Sequence, residues 1–265
     1  MTLNVRAATD TGLKRARNED SLAYWCSDVE TGRGTLMVVA DGMGGSRAGE
    51  VASQLAVHAV VDSYRESSDG EPLETLHKAV ETANARVHRQ SLANPDLRGM
   101  GTTCTAVLVR ERHAFFAHVG DSRAYVVQRN GIRQITRDHS LVAQLVQSQQ
   151  ITPEQARVDP RRNLVTRSVG VGQTVEIDAD RLEGTLAEGD TLMLCTDGLH
   201  GLVTDEELAA LIADHDLDEA CNELVALARR RGGPDNITVL LARMESSPDT
   251  VTDGEPCFLP PRDAA

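Results

Sequence analysis

The sequence predicts an α+β protein built in layers, with largely antiparallel strands. Two observations carry that class. Short apolar runs such as Leu36-Met37-Val38-Val39-Ala40 and Ile237 to Ala242 recur along the chain and read as buried strands. Their order is strands, two helices, many strands, then helices and a last strand, which is not the βαβ alternation of a parallel sheet.

Each element has its own signal. Residues 3–9 alternate weakly and read as a first strand, closed by Thr11-Gly12. Lys14 to Asp20 is a polar loop leading into a strand from Ser21 to Cys26. The 36–40 strand runs into Asp41-Gly42-Met43-Gly44-Gly45, and Ser46 is placed to cap a helix. Ala48, Val51, Ala52, Leu55 and Ala59 share one face of that helix, and Ser67 to Gly70 breaks the chain. Leu73, Leu76, Val80, Ala83 and Val87 make a second amphipathic helix, ended near Asn94-Pro95. Three β-rich runs follow, Thr103 to Val109, Ala114 to Val119 and Ala124 to Val127, with a hairpin turn expected at Asn130-Gly131. Leu141, Leu145 and Val146 suggest a short helix. Residues 148–172 have little periodicity and read as a long irregular insertion. Val175 to Leu182 alternates, and Thr191 to Thr196 is a second apolar strand ending in an aspartate, Asp197. Thr204 and Glu207 form a capping box that opens a helix through Leu208, Leu211 and Ile212. Leu217, Ala220, Leu224 and Ala228 mark a last helix before the strand at Ile237. From Ser246 on, Ser, Pro, Asp and Gly dominate, and residues 245–265 read as a disordered tail.

Composition bounds the function. At 265 residues and 40% hydrophobic the chain can bury a sizeable core, but with 3% aromatics that core must be Val, Leu, Ile and Ala. A net charge of −13 argues against nucleic acid, which needs basic patches, whereas acidic residues gathered in a cleft attract divalent cations. Five cysteines with no CxxC pair fit a reducing compartment. No signal peptide or membrane-length apolar run is seen, so a cytoplasmic protein without membrane association is expected.

The chemistry-bearing residues are aspartates at strand ends. Four Asp-Gly pairs occur, at 41–42, 69–70, 197–198 and 253–254, but only Asp41 and Asp197 follow a continuous apolar strand. Asp121 closes another strand and Asp235 precedes the last one. Each alone reads as a turn or cap. Four together suggest carboxylates converging on one rim, held rigidly without being buried unpaired.

The ordered set Arg15, Asn18-Glu19-Asp20, Val39-Ala40-Asp41-Gly42-Met43-Gly44-Gly45, Gly101-Thr102-Thr103, Gly120-Asp121-Ser122-Arg123, Asp197-Gly198 and Asp235-Asn236 resembles the metal-dependent protein phosphatases of the PP2C (PPM) type, in particular the bacterial serine/threonine phosphatases. The resemblance implies a four-layer α-β-β-α sandwich, two antiparallel sheets flanked by helices. It implies a catalytic domain over residues 1–244, with 148–172 as its flap. It also implies two ions per site, Mn²⁺ or Mg²⁺. Asp41 would bridge both, the Gly42 carbonyl would bind one, Asp197 and Asp235 would hold the first, and Glu19 and Asp20 would anchor the second largely through water. Asp121 matches a third, weaker site, and Arg15 the arginine that grips substrate phosphate. Hydroxide between the ions would attack phosphoserine or phosphothreonine directly, opposing a bacterial serine/threonine kinase. The resemblance further suggests a monomer.

Met43 stands where some members of the family carry a histidine proton donor, which leaves the general acid open, with His139 one candidate. Arg161, Arg162 and Arg167 of the flap are candidates to meet acidic or phosphorylated substrate. Cys104 and Arg110 have cysteine-phosphatase spacing, but a strand lies between them rather than a glycine-rich loop. GxSxG, P-loop and HExxH motifs do not occur. A phosphoprotein-binding module on the same fold is the alternative.

Overall fold

The computed structural model describes residues 1–27, 32–44, 47–67, 70–246 and 255–259. Gly45, the expected cap Ser46, Asp69 and Asp253-Gly254 lie outside the described residues.

The chain forms a four-layer α-β-β-α sandwich whose strand pairings are antiparallel. One sheet contains β1 (Thr2–Asp10), β7 (Arg123–Gln128), β8 (Gly131–Gln134), β10 (Thr191–Cys195) and β11 (Ile237–Glu245), in the order β1-β11-β10-β7-β8. The other contains β2 (Asp20–Cys26), β3 (Thr35–Met43), β5 (Cys104–Arg110), β6 (His113–Val119), β9 (Asp178–Arg181) and β12 (Cys257–Leu259), in the order β12-β2-β3-β5-β6-β9. The short β4 (Gly101–Thr102) pairs with the end of β3.

The continuous apolar runs are explained by burial on both faces. On β3, Leu36, Val38 and Ala40 pack under α1 (Ala48–Glu66) and α2 (Pro72–Ala93), while Met37 and Val39 face the other sheet. On β10, Met193 and Cys195 pack under the helices α5 (Asp197–His200), α6 (Asp205–Asp214) and α7 (Leu217–Arg230), while Leu192 and Leu194 face inward. The molecule therefore has three apolar layers, one between the sheets and one beneath each helical layer. Such strands carry no alternation to read, as expected when neither face meets water. The predicted capping box is present at α6, where Thr204 accepts from the Glu207 backbone and Glu207 accepts from the Thr204 backbone.

Four expectations need correction. Only Asp178–Arg181 of the 175–182 run pairs as a strand; Val175 and Ile177 precede it, packed, like Ala179, against the layer beneath α1 and α2. The hairpin tip is Arg129-Asn130, since Gly131 already pairs with Gln128. The insertion after α3 (Leu141–Gln147) is not structureless: Thr152 and Gln155 form a capping box that opens α4 (Pro153–Val158). The tail expected at 245–265 is ordered in part. Glu245 ends β11, and Cys257–Leu259 adds a strand to the edge of β2, with Phe258 stacked on His58 of α1 at a ring separation of 4.0 Å. Main-chain pairing to an open sheet edge needs no periodic sequence, so composition does not reveal it.

Phe258→Ala removes a stacked aromatic and is expected to destabilise the protein by about 1–2 kcal/mol. In a domain of this size that lowers Tm by roughly 2–6 °C. Calorimetry checks it, and an unchanged Tm would show that the Phe258–His58 stack contributes nothing to stability.

Candidate active site

Strand parity builds the site. Met37 and Val39 face between the sheets, so Asp41, two residues on, does too. Leu22 and Tyr24 set the same parity on β2 for Asp20, and Asp20 and Asp41 are direct partners in the β2–β3 register. From the opposite sheet, Leu240 on β11 and Leu194 on β10 set the inward parity of Thr238 and Thr196. Both hydroxyls donate to one oxygen of Asp20, at 2.7 Å from Thr238 and 2.8 Å from Thr196. Asp20 therefore stitches the two sheets together where their strands end. Its other oxygen, Oδ1, is buried without a partner, and so is Oδ1 of Asp197, the first residue of α5.

The carboxylates strain against one another. Burial, then the charges of Asp20, Asp197, Asp121 and Asp235, raise the Asp41 carboxyl well above the usual range. Burial, with neighbouring aspartates adding to it, pushes Asp20 up to about 7, Asp121 to about 8 and Asp197 to about 6. Such a cluster is relieved either by protons or by cations. Oxygen-only donors of this kind suit Mg²⁺ or Mn²⁺ rather than zinc. Among the described residues no three His, Cys, Asp or Glu side chains are gathered closely enough to hold an ion by themselves. The donor set thus fits ions held by one or two carboxylates each, with carbonyls and water completing the shell, as Mg²⁺ commonly is.

The backbone around these groups is tightly specified. The Asp41 carbonyl accepts from the Thr103 amide at 2.9 Å and the Thr102 hydroxyl at 2.8 Å, and the Asp41 amide donates to the Thr103 hydroxyl at 2.8 Å. That is the physical role of the Gly101-Thr102-Thr103 motif. The Asn236 side chain donates to the Thr11 and Arg17 carbonyls, both at 2.9 Å, and accepts from the Glu19 amide at 2.8 Å. It thereby fixes the loop carrying Arg15 and Glu19. A Cβ added at Gly49, in the first turn of α1, would overlap both the Glu19 carboxylate and the Gly42 carbonyl. These two donors therefore meet at one point, with room left only because residue 49 has no side chain.

Arg15 lies at the mouth, half-exposed, with its guanidinium donating to Asp235 at 2.8 Å. Asp121 is buried at the end of β6, where the neutral His200 ring donates to its carbonyl at 3.0 Å. His139 does not reach the cluster as an acid. Its Nδ1 accepts from the Gly120 amide at 3.0 Å, and its Nε2 faces Asp178 at 3.1 Å. Sequence reasoning missed Thr196, Thr238 and Gly49. For the threonines the only signal was a hydroxyl at the inward position of a strand end. Cys104 points into the layer under α1 and α2, and burial pushes its thiol up to about 12, so the cysteine-phosphatase spacing is accidental.

A groove of about 950 Å³ runs from Asp121, Asp197 and Asp235 beneath α3 and α4. No helix among the described residues is long and apolar enough to cross a membrane.

The family model described as Protein phosphatase 2C matches residues 13–218. The chain belongs to the protein phosphatase 2C family. It is 40% identical over 242 residues to the serine/threonine protein phosphatase PstP of Mycobacterium tuberculosis, a match covering 91% of this chain but only 45% of that protein. The chain thus spans about half the length of that relative. It is 37% identical over 242 residues to the serine/threonine phosphatase stp of Listeria monocytogenes, covering 89% of this chain and 94% of that one. A crystal structure of the catalytic domain of PstP in complex with two manganese ions superposes with a TM-score of 0.80 at 38% identity, covering 92% of this chain and 99% of that one. The PP2C family assignment and the sandwich described above therefore agree.

The raised carboxyls give this PP2C domain a pH signature. A carboxyl whose folded pKa lies above its unfolded value stabilises fully below the unfolded value, near 4, and loses that contribution as pH rises through the folded one. In EDTA the protein is expected to lose stability, on the order of a few kcal/mol, between about pH 4 and pH 8. Mn²⁺ is expected to restore more at pH 8 than at pH 5, since fewer protons compete. Urea unfolding at several pH values with and without Mn²⁺ checks this, and a metal-free protein equally stable at pH 5 and 8 would contradict it.

Proposed function

We propose that this chain is a metal-dependent phosphomonoester hydrolase that removes phosphate from phosphoserine and phosphothreonine in proteins, opposing a serine/threonine kinase. The observation that carries the reading is the set of inward carboxylates with two orphaned oxygens, on Asp20 and Asp197, at the end of a rigid inter-sheet gap. In this reading Asp41 would serve both of two cations, with the Gly42 carbonyl offered to one; Asp197 and Asp235 would hold the first, Glu19 and Asp20 the second, and Asp121 would contribute to a third. The catalytic unit is residues 1–244, with 148–172 as the flap.

When bound, Mn²⁺ or Mg²⁺ would lower the pKa of water in the cleft and neutralise the phosphoryl group. The chain itself offers no cysteine nucleophile, in keeping with the buried Cys104 and Cys195, whose thiols burial pushes upward. Asp20, Asp41 and Asp197 keep their positions through the threonine hydroxyls and backbone bonds described above. Arg15 shares Asp235 in the structure. Once Asp235 serves as a ligand, the guanidinium is free to turn its planar fork onto two phosphate oxygens. Met43 has no proton to give and both ring nitrogens of His139 are engaged, so neither side chain is placed to protonate the leaving oxygen.

p-Nitrophenyl phosphate hydrolysis with Mn²⁺ tests the reading. EDTA and Asp41→Asn are each expected to reduce turnover by about 100-fold or more. Full activity in Asp41→Asn would refute the two-ion assignment, and a protein that binds phosphopeptide without turning it over would favour a binding module. Arg15→Lys keeps the charge but loses the fork, and is expected to raise KM about tenfold, read from steady-state kinetics.

A further inference from the structure

We propose that the groove leading away from the carboxylate cluster binds the peptide segment flanking the phosphorylated residue, and that it selects acidic segments. The inference rests on the phosphatase reading above and names its substrate class.

The groove begins at Asp121, Asp197 and Asp235 and continues between α3 and α4 on one side and the α5 region on the other. Its apolar lining includes Val142, Val146, Pro153, Ala156 and Leu202. Two of its ion pairs close on themselves: Arg123 with Asp138 at 2.8 Å, and Arg15 with Asp235 at 2.8 Å. Four other cations line it, Lys14, Arg137, Arg157 and Arg162, and among the described residues none of them makes an ion pair. Arg162 and Asp197 both line it. Arg157 favours the ionised carboxyls of Glu154 and Glu206 by its charge, without pairing to either.

The other flap arginines provide the contrast. Arg161 closes onto Asp159 at 2.9 Å, and Arg167 onto Asp178 at 2.6 Å and Glu176 at 2.9 Å. These two are spent within the chain, so of the three arginines singled out in the sequence only Arg162 faces the groove. In a protein of net charge −13, four unpaired cations along one channel are a local reversal of sign. An acidic peptide is repelled by the body of the molecule and attracted here, which is electrostatic complementarity acting on specificity. The phosphorylated residue sits at the carboxylate end and its acidic neighbours lie along the cationic walls.

The test uses the full chain with Mn²⁺ and a set of phosphothreonine peptides identical except for Glu, Gln or Lys at the flanking positions on both sides. We expect kcat/KM for the Glu peptide to exceed that for the Lys peptide by about tenfold or more at low salt, mainly through KM, and the ratio to shrink as salt is raised. In Arg157→Glu and Arg162→Glu the Glu-to-Lys ratio should fall to about one or invert, since charge reversal makes the channel repel what it attracted. p-Nitrophenyl phosphate, which has no flanking residues, separates the two readings. If the wild type hydrolyses it but shows no preference among the peptides, the phosphatase reading stands and this inference is overturned. If the preference exists but is unchanged in both variants, the groove is not its source and the inference is equally overturned. Failure on p-nitrophenyl phosphate removes the phosphatase reading and the inference with it. The wild-type peptide series alone decides the acidic preference should a variant fail to fold.

Discussion

Like-charge repulsion between carboxylates held in the gap between two sheets is the constraint on which the rest of the site depends. Asp20 and Asp41 sit opposite one another in the β2–β3 register, with Asp121 and Asp197 adding their charges from neighbouring strand ends. Burial denies these groups full hydration, and only part of the deficit is met by protein donors. Two threonine hydroxyls satisfy one oxygen of Asp20 and leave the other bare. An uncompensated buried charge is expensive, so the arrangement is sensible only if something positive completes it.

The four layers make that arrangement rigid. Three apolar layers hold the strands, and each functional carboxylate lies at or just beyond a strand end, where packing fixes its backbone. Thr102 of β4 and Thr103, between β4 and β5, clamp Asp41, and Asn236, just before β11, clamps the Arg15–Glu19 loop. Polar residues that looked like loop filler thus set the position of the charged ones. Behind Asp121, His118, His139 and His200 are buried, and burial keeps His118 and His200 neutral; these rings buttress strands and the flap rather than handle protons.

Charge pairing also divides the arginines of the 148–172 insertion. Arg161 pairs within the insertion and Arg167 ties it to Asp178 of β9, through pairs that are partly exposed and each of modest value. Arg157 and Arg162 keep their charge available to the groove. The same residue type differs here because pairing, not exposure, decides whether an arginine's charge is already satisfied within the chain.

Much was legible in the sequence alone. The apolar runs located the strands, Asp41 and Asp197 stood out because each ends such a run, and the capping box at Thr204 and Glu207 marked α6. These signals are local, since burial on both faces, a chain reversal or a cap is written within a few residues. What the sequence could not supply was across-sheet partnership. That Thr196 and Thr238 share one oxygen of Asp20, that Gly49 leaves the space where Glu19 and Gly42 meet, and that Arg15 pairs with Asp235 all join residues far apart in the chain. Nor could it show that Cys257–Leu259 completes a sheet edge, since main-chain pairing asks little of side chains. Residue types and strand parity determined which groups face the gap; only the stacking of the two sheets decided which of them meet there.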